Sequence, residues 1–412
     1  MKKPQFDIIL FGATSFVGRL VALHIQSLLD SGSTAIPASF SWAIAGRNMN
    51  ALQRIKTQLG AKANGLPCLV ADSHNKTQLQ ALCRQCRVVI STVGPYALYG
   101  ETLVQVCTES GTDYCDLTGE VPWIKRMLYR YEVRAQTSGA RIVNCCGFDS
   151  IPSDLGVHYL QQLARCYWGG PATQIKMAVE HLRGGLSGGT LASIINVSKE
   201  AIANQEIRKQ LSNPYWLCPQ DQSEKVRQPS HKRQYDQDFE SWTIPFLMAG
   251  INTRIVHRSN ALLNYSYGRE FIYSEQVIVK KFGRLRSAAM QLTTGVTLTG
   301  IIFPPTRWLL QRFVLPKPGQ GPSAAQQQSG FFSLLFVGKN AAKQIIRTRL
   351  QGDRDPGYSG TAKMLTQAGL CLAFDVPITQ RGGFYTPAAL MAEPLQQRLT
   401  KYAGITLQEI SS

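Results

Sequence analysis

The stretch FDIILFGATSFVGRLVALHIQSLL, residues Phe6 to Leu29, decides the fold. Phe6 to Phe11 is a short apolar run rich in β-formers, Gly12 to Gly18 is a glycine-bearing turn, and Arg19 to Leu29 repeats apolar residues at helical spacing. The order predicts a strand, a tight turn and a helix. Two lysines precede it, but Ile8 to Phe11 is too short for a signal-peptide core, so the segment reads as a strand and not as a targeting peptide.

Working outward, Ser41 to Ala45 reads as a second strand after the loop Ser31 to Ser39, and Ala51 to Leu59 as a second helix. Pro67 to Val70, Val88 to Val93, Tyr114 to Leu117 and Arg141 to Cys145 continue as short, nearly all-apolar strands with helical stretches between them. A parallel sheet covered on both faces reads this way, because neither side of its strands meets water. We therefore expect a doubly wound α/β domain over residues 1–150. Beyond Gly147 the strand-like segments lengthen (Gln174 to His181, Asn264 to Val279, Phe331 to Val337, Lys343 to Leu350), which predicts a second α/β domain with a mixed sheet over 151–375. We read this second unit as the substrate and dimerisation domain, and 376–412 as a C-terminal helix packing back on the first. Within it, 205–240 is polar and proline-containing and reads as a surface excursion, mobile in part. Lys317 to Ser329 reads as a loop, with no regular structure expected across Pro316 to Pro322.

The turn Gly12-Ala13-Thr14-Ser15-Phe16-Val17-Gly18 meets specific physical demands. Gly12 allows a sharp turn at the end of strand one, a small residue at 15 lets a pyrophosphate approach the backbone, and Gly18 lets the helix pack closely. The first helical N–H groups are left free for phosphates. This is a Rossmann-type dinucleotide site, and Thr14, Ser15, Phe16 and Val17 are its expected contacts along with the two glycines. Strand two ends in Ala45-Gly46-Arg47-Asn48, where NAD-binding chains place a carboxylate on the ribose hydroxyls. A guanidinium there pairs with a 2′-phosphate and stacks on adenine, so Arg47, with Asn48 beside it, predicts NADP(H). Asp72, after strand three, is placed for the adenine edge, and Gly94, Pro95 and Tyr96 close strand four near the pyrophosphate and nicotinamide ribose.

Composition narrows the function classes. The chain has 412 residues, and 44 Lys+Arg against 26 Asp+Glu give a formal net charge of +18, which favours phosphates, acidic proteins or anionic lipid. Its basic clusters, Lys225 to Arg233 and Lys280 to Arg286, carry no nucleic-acid motif, and nucleic acid is not an expected partner. Ten cysteines without small-domain disulfide spacing suit a reducing, cytoplasmic setting. The lone Cys83-x-x-Cys86 reads as a helix end entering a strand, and no metal site is expected. Ser287 to Thr306 carries no charge and is long enough to cross a bilayer. Thr293, Thr294, Thr297, Thr299, two glycines and Pro304-Pro305 disfavour a span, and a core helix or an interfacial helix in peripheral contact with the inner face of a membrane both fit.

Taken in order, GATSFVG, AGRN, VVISTVGPYALYGETLVQVC, GTDYCDLTGE, NCCGFDSIPSDLG, LPKPGQGPS, DPGYSGTAKML and GGFYTPAA resemble the saccharopine dehydrogenase-like oxidoreductases, particularly the trans-acting enoyl reductase branch, from Phe6 to about Leu399. Ser15 departs from the glycine that relatives usually carry. The resemblance implies a Rossmann domain followed by a mixed-sheet domain, and NADPH-dependent reduction of a carbon–carbon or carbon–nitrogen double bond, in the enoyl branch on a polyketide or fatty acyl chain. A small-molecule or carrier-bound acyl substrate is the expected partner. Two alternatives stand beside it: an imine reductase on the same scaffold, and a membrane-peripheral nucleotide-binding adaptor without turnover. Hydride chemistry also needs a proton donor at the carboxyl ends of the strands. Tyr96, Tyr99 and Asp149 are the first candidates, with Asp116, Thr118, Glu120 and Ser150 nearby; the last three also fit helix starts.

Overall fold

The computed structural model describes residues 4–184, 188–219, 226–230, 232–280, 283–302 and 321–410. Six strands, β1 (Phe6–Phe11), β2 (Trp42–Gly46), β3 (Cys68–Val70), β4 (Cys86–Ser91), β5 (Asp113–Asp116) and β6 (Arg141–Val143), form the first sheet. A second sheet collects β7 (Gln174–Arg183), β8 (Gln234–Asp236), β9 (Ser241–Pro245), β10 (Ile272–Val279), β11 (Phe331–Lys339) and β12 (Ile345–Gly352). The C-terminal segment then serves both: β13 (Gly383–Tyr385) pairs parallel with β6, and β14 (Ile405–Glu409) antiparallel with β12.

The first sheet is parallel throughout, in the order β13-β6-β5-β4-β1-β2-β3. Its apolar strands follow from burial on both faces. Ile8, Leu10, Val88 and Ile90 join one core cluster with Val21 and Ile25 of the helix Phe16–Asp30. The alternate residues Ile9, Phe11 and Val89 join the other, with Val104 and Trp123. The chain leaves β1 toward β2 and β3 and returns on the other side at β4, so β1 and β4 flank a crevice at their carboxyl ends, where such sheets bind ligands. The second sheet runs β14-β12-β11-β7-β10-β9-β8, with β7 and β10 parallel and the other pairs antiparallel.

Several expectations need correction. The helix Thr361–Phe374, assigned by sequence to the second unit, packs on the first sheet through β4 and β5 and against Phe16–Asp30. The excursion after Gln205 is anchored where it is described: the helix Gln205–Gln210 leads to a buried Leu217, whose carbonyl accepts from the Arg258 guanidinium at 2.6 Å. Its polar average hid these apolar anchors; 220–225 and 231 lie outside the described residues. The strand expected from Asn264 starts only at Ile272, because Asn264 and Tyr265 adopt left-handed φ of 54° and 57°. A short helix, Ala324–Gln328, interrupts the loop expected to Ser329. The uncharged run lies in the helix Gly283–Ile302, which buries Ser287 and exposes Leu285, Leu292 and Val296. Residues 303–306 of that run lie outside the described residues, and no described helix is long and apolar enough to cross a membrane.

One buried ion pair fastens this arrangement. The Arg141 side chain donates through Nε to Asp113 Oδ1 at 3.0 Å, and through Nη1 to the carbonyl of Pro377 at 3.1 Å, tying β5, β6 and the C-terminal segment together. Removing one partner leaves a buried charge alone, so Arg141→Met should destabilise the fold by about 3–5 kcal/mol. Urea unfolding of the variant checks this; a loss below about 1 kcal/mol would show that the pair is not a fastening.

Candidate functional site

Gly12 turns the chain at φ +89°, and a Cβ there would meet Val93 Cγ2 at 2.6 Å. Six residues later Gly18 seats the helix on the turn: a Cβ at this position would stand 2.2 Å from the Gly12 carbonyl oxygen. Ser15 sits between them as N-cap, its Oγ accepting from Gly18 N at 2.9 Å and donating to Thr92 Oγ1 at 3.0 Å. Thr92 Oγ1 in turn donates to Gly12 O at 2.9 Å, so β1, the helix start and the end of β4 are stitched together. The serine hydroxyl is thus used inside the protein. Phe16 and Val17, whose N–H groups stand in the first helical turn without intrahelical acceptors, line the adjoining cavity. Thr14 is exposed at the tip of the turn. This cradle fits a dinucleotide pyrophosphate, since its close approaches exclude side chains from the place the phosphates would take.

Arg47 is exposed after β2 and makes no hydrogen bond or ion pair among the described residues, so its guanidinium is available to a 2′-phosphate. Asn48 instead caps the helix Met49–Gln58, accepting from Ala51 N at 2.9 Å. Asp72 Oδ1 accepts from His74 N at 2.8 Å, half-buried beyond β3.

The cavity holds about 480 Å³ and runs from the turn and Thr92, Gly94, Pro95 and Tyr96 to the second unit's Ile194, Val197, Leu247, Met248 and Ile251. Asp149 and Arg254 are the only aspartate, glutamate, lysine, arginine or histidine residues in its described lining. Asp149 is half-buried, and desolvation pushes its carboxyl up to about 6. It has no hydrogen-bond partner among the described residues. Asp116 is also pushed up to about 6 by burial, yet accepts from Tyr114 Oη, Asn144 Nδ2, Thr118 N and Cys145 N within 2.8–3.1 Å. The first carboxyl is available to a ligand and the second is built into the scaffold.

The other donor candidates fall out by geometry. Tyr96 lines the cavity, but its hydroxyl is buried, donating to Ser91 O at 3.0 Å and accepting from Leu117 N at 3.3 Å, and burial raises its pKa well above the usual phenol value. Tyr99 lies outside the cavity lining, edge-on to His74 at 5.6 Å. Glu120 accepts from the backbone N–H groups of Tyr96 and Ala97 at 2.8 and 3.0 Å, and from Ser193 Oγ at 2.9 Å. It therefore caps a helix start across the cleft, not the helix it precedes. Thr118 Oγ1 accepts from Glu120 N, and Ser150 Oγ donates to Asn252 Oδ1. Two residues were missed by sequence reading: Arg254, and Tyr358, whose ring meets Phe16 edge-on at 4.9 Å. Tyr358 belongs to the DPGYSG motif, which was the available signal.

Two outcomes follow from this geometry. Ser15→Ala should lower stability by about 0.5–2 kcal/mol, the worth of an N-cap, while NADPH affinity stays within a few-fold; a collapse of affinity at unchanged stability would make the hydroxyl a phosphate ligand. Arg47→Ala should weaken NADPH binding by about 1–3 kcal/mol and leave NADH binding nearly unchanged, as titration calorimetry would show.

Comparison with known proteins agrees with this architecture. Residues 8–143 match the saccharopine dehydrogenase NADP binding domain. The trans-acting enoyl reductase of Mycobacterium tuberculosis is 36% identical over 98% of this chain and 97% of its own, and that of Mycobacterium leprae 34% identical over 98% of each. The yeast saccharopine dehydrogenase (L-Glu forming) from Saccharomyces cerevisiae shares the fold at TM-score 0.54 and 11% identity, covering 98% of this chain and all of that one. By that likeness along its whole length, the chain belongs to the saccharopine dehydrogenase-like family of NADP(H)-dependent oxidoreductases, in the branch of the trans-acting enoyl reductases.

Proposed function

We propose that the protein reduces the carbon–carbon double bond of an enoyl acyl substrate, with Asp149 as proton donor. The observation that carries this reading is a protonatable carboxyl, the one carboxyl among the described lining residues, in an apolar cavity that begins at the nucleotide turn. NADPH, when bound, supplies the hydride. The residues of the chain do the rest: the turn and Arg47 hold the nucleotide, while Ile194, Val197, Leu247, Met248 and Ile251 desolvate the acyl chain and keep water out. Hydride addition at one alkene carbon leaves negative charge on the conjugated carbonyl, and the Asp149 proton then passes to the other carbon, so one hydride and one proton cross the double bond. The names of the relatives support the enoyl assignment. An amino-acid imine would ask for several charged contacts to its carboxylates and ammonium, and this lining offers few.

Asp149 must be protonated to act, so kcat/KM with a 2-enoyl thioester should fall about tenfold per pH unit above about 6. Asp149→Asn should remove that limb and lower kcat by about 100- to 10,000-fold with NADPH affinity intact. Steady-state assays of NADPH consumption test both. A flat profile in a fully active Asp149→Asn enzyme would remove Asp149 from the mechanism, and no consumption with enoyl thioesters of any chain length would remove the reading itself.

A further inference from the structure

Arg254 is a buried cation with no counter-ion among the described residues. It stands on the helix Ala249–Leu262, 5% exposed, in the cavity wall with Leu211, Leu247, Met248 and Ile251. Its guanidinium donates to the carbonyls of Gly250, one turn earlier on the same helix, and Leu211. Its Nε is buried without a partner, and no carboxylate pairs with it among the described residues. Arg258, one turn on, is treated differently: Glu132 Oε2 stands 3.6 Å away, and two further carbonyls accept from it. Burial draws the Arg254 guanidinium down to about 10, which leaves it protonated at neutral pH. A buried charge with only neutral partners is costly, and at neutral pH an arginine does not escape that cost by losing its proton. An arriving anion in the cavity offsets it.

We infer that Arg254 anchors an anionic oxygen group, so that the ligand of this cavity is an apolar chain bearing one carboxylate or phosphate. This rests on the reading of the cavity as the acyl site. The shared chemistry is an oxyanion in fork geometry on a guanidinium, on a body that the aliphatic wall desolvates. The carboxylate would belong to the chain itself and the phosphate to the arm that carries it.

Titration calorimetry of the full chain with dodecanoate, dodecyl phosphate and dodecanol tests the anchor. In the wild type one or both anions should bind about 10- to 100-fold more tightly than the alcohol, the worth of a charged hydrogen-bond set, and the tighter anion identifies the source. Arg254→Met should reduce that preference below about twofold while dodecanol affinity holds, and Arg254→Lys, which keeps the charge, should retain part of it. Equal binding of the three ligands by the wild type overturns the proposal whatever the variants do, and so does an undiminished preference in a cooperatively melting Arg254→Met protein. The assay needs no turnover. An anionic preference in a protein that consumes no NADPH would uphold the anchor and overturn the reductase reading, so the two failures are separable.

Discussion

The approach of Gly18 to the carbonyl of Gly12 is the constraint on which the rest of the site depends. With no Cβ between them, the helix Phe16–Asp30 stands directly over the end of β1, and the Ser15 and Thr92 hydroxyls complete the contact from both sides. Phe16 is carried by that placement against Tyr358, and the Tyr358 hydroxyl accepts from Gly188 N, where a cavity-lining helix of the second unit begins. One close backbone approach thereby sets the distance between the nucleotide turn and the apolar wall of the cavity. A rigid seat of this kind suits hydride transfer, in which small displacements of the reacting carbons are costly.

Burial raises both Asp116 and Asp149, and their partners decide what each can do. Asp116 and Asp149 are raised to the same value by desolvation, but four donors hold Asp116 in place. Glu120 spends its oxygens on two backbone N–H groups and Ser193, joining the loop after β4 to the helix Gly188–Ala203. A raised pKa marks desolvation; an unused oxygen at a cavity marks chemistry.

The sequence made the nucleotide half legible because its signals are local: apolar runs of strand length, helical spacing after Gly18, and a basic residue where β2 ends. What it hid was long-range. Nothing in TAKMLTQAGLCLAF says which sheet the helix covers, and the three residues of β13 are too few for a period. Asp116 and Asp149 look alike at strand ends, because the difference lies in Asn144, arriving from just past the neighbouring β6, and in the Tyr114 hydroxyl on Asp116's own strand. Beside Arg47 the sequence offers Asn48 as a ligand contact, and the cap its side chain makes on the following helix is an equally local feature of that residue type. Arg254 carries no motif, and what sets it apart is spatial: no carboxylate pairs with it among the described residues.

The late arrival of Thr361–Phe374 and β13 bears on how the chain is made. Gly369 of that helix lies against Ile90 and Cys115, so over β4 and β5 this face of the first sheet is completed by a segment that follows β6 by more than two hundred residues. At a translation rate of about 5–20 residues per second, the half-built sheet waits roughly 10–40 s on the ribosome with β4 and β5 only partly covered. Synthesis of this enzyme therefore includes an interval in which chaperones have a binding surface that the finished protein never shows.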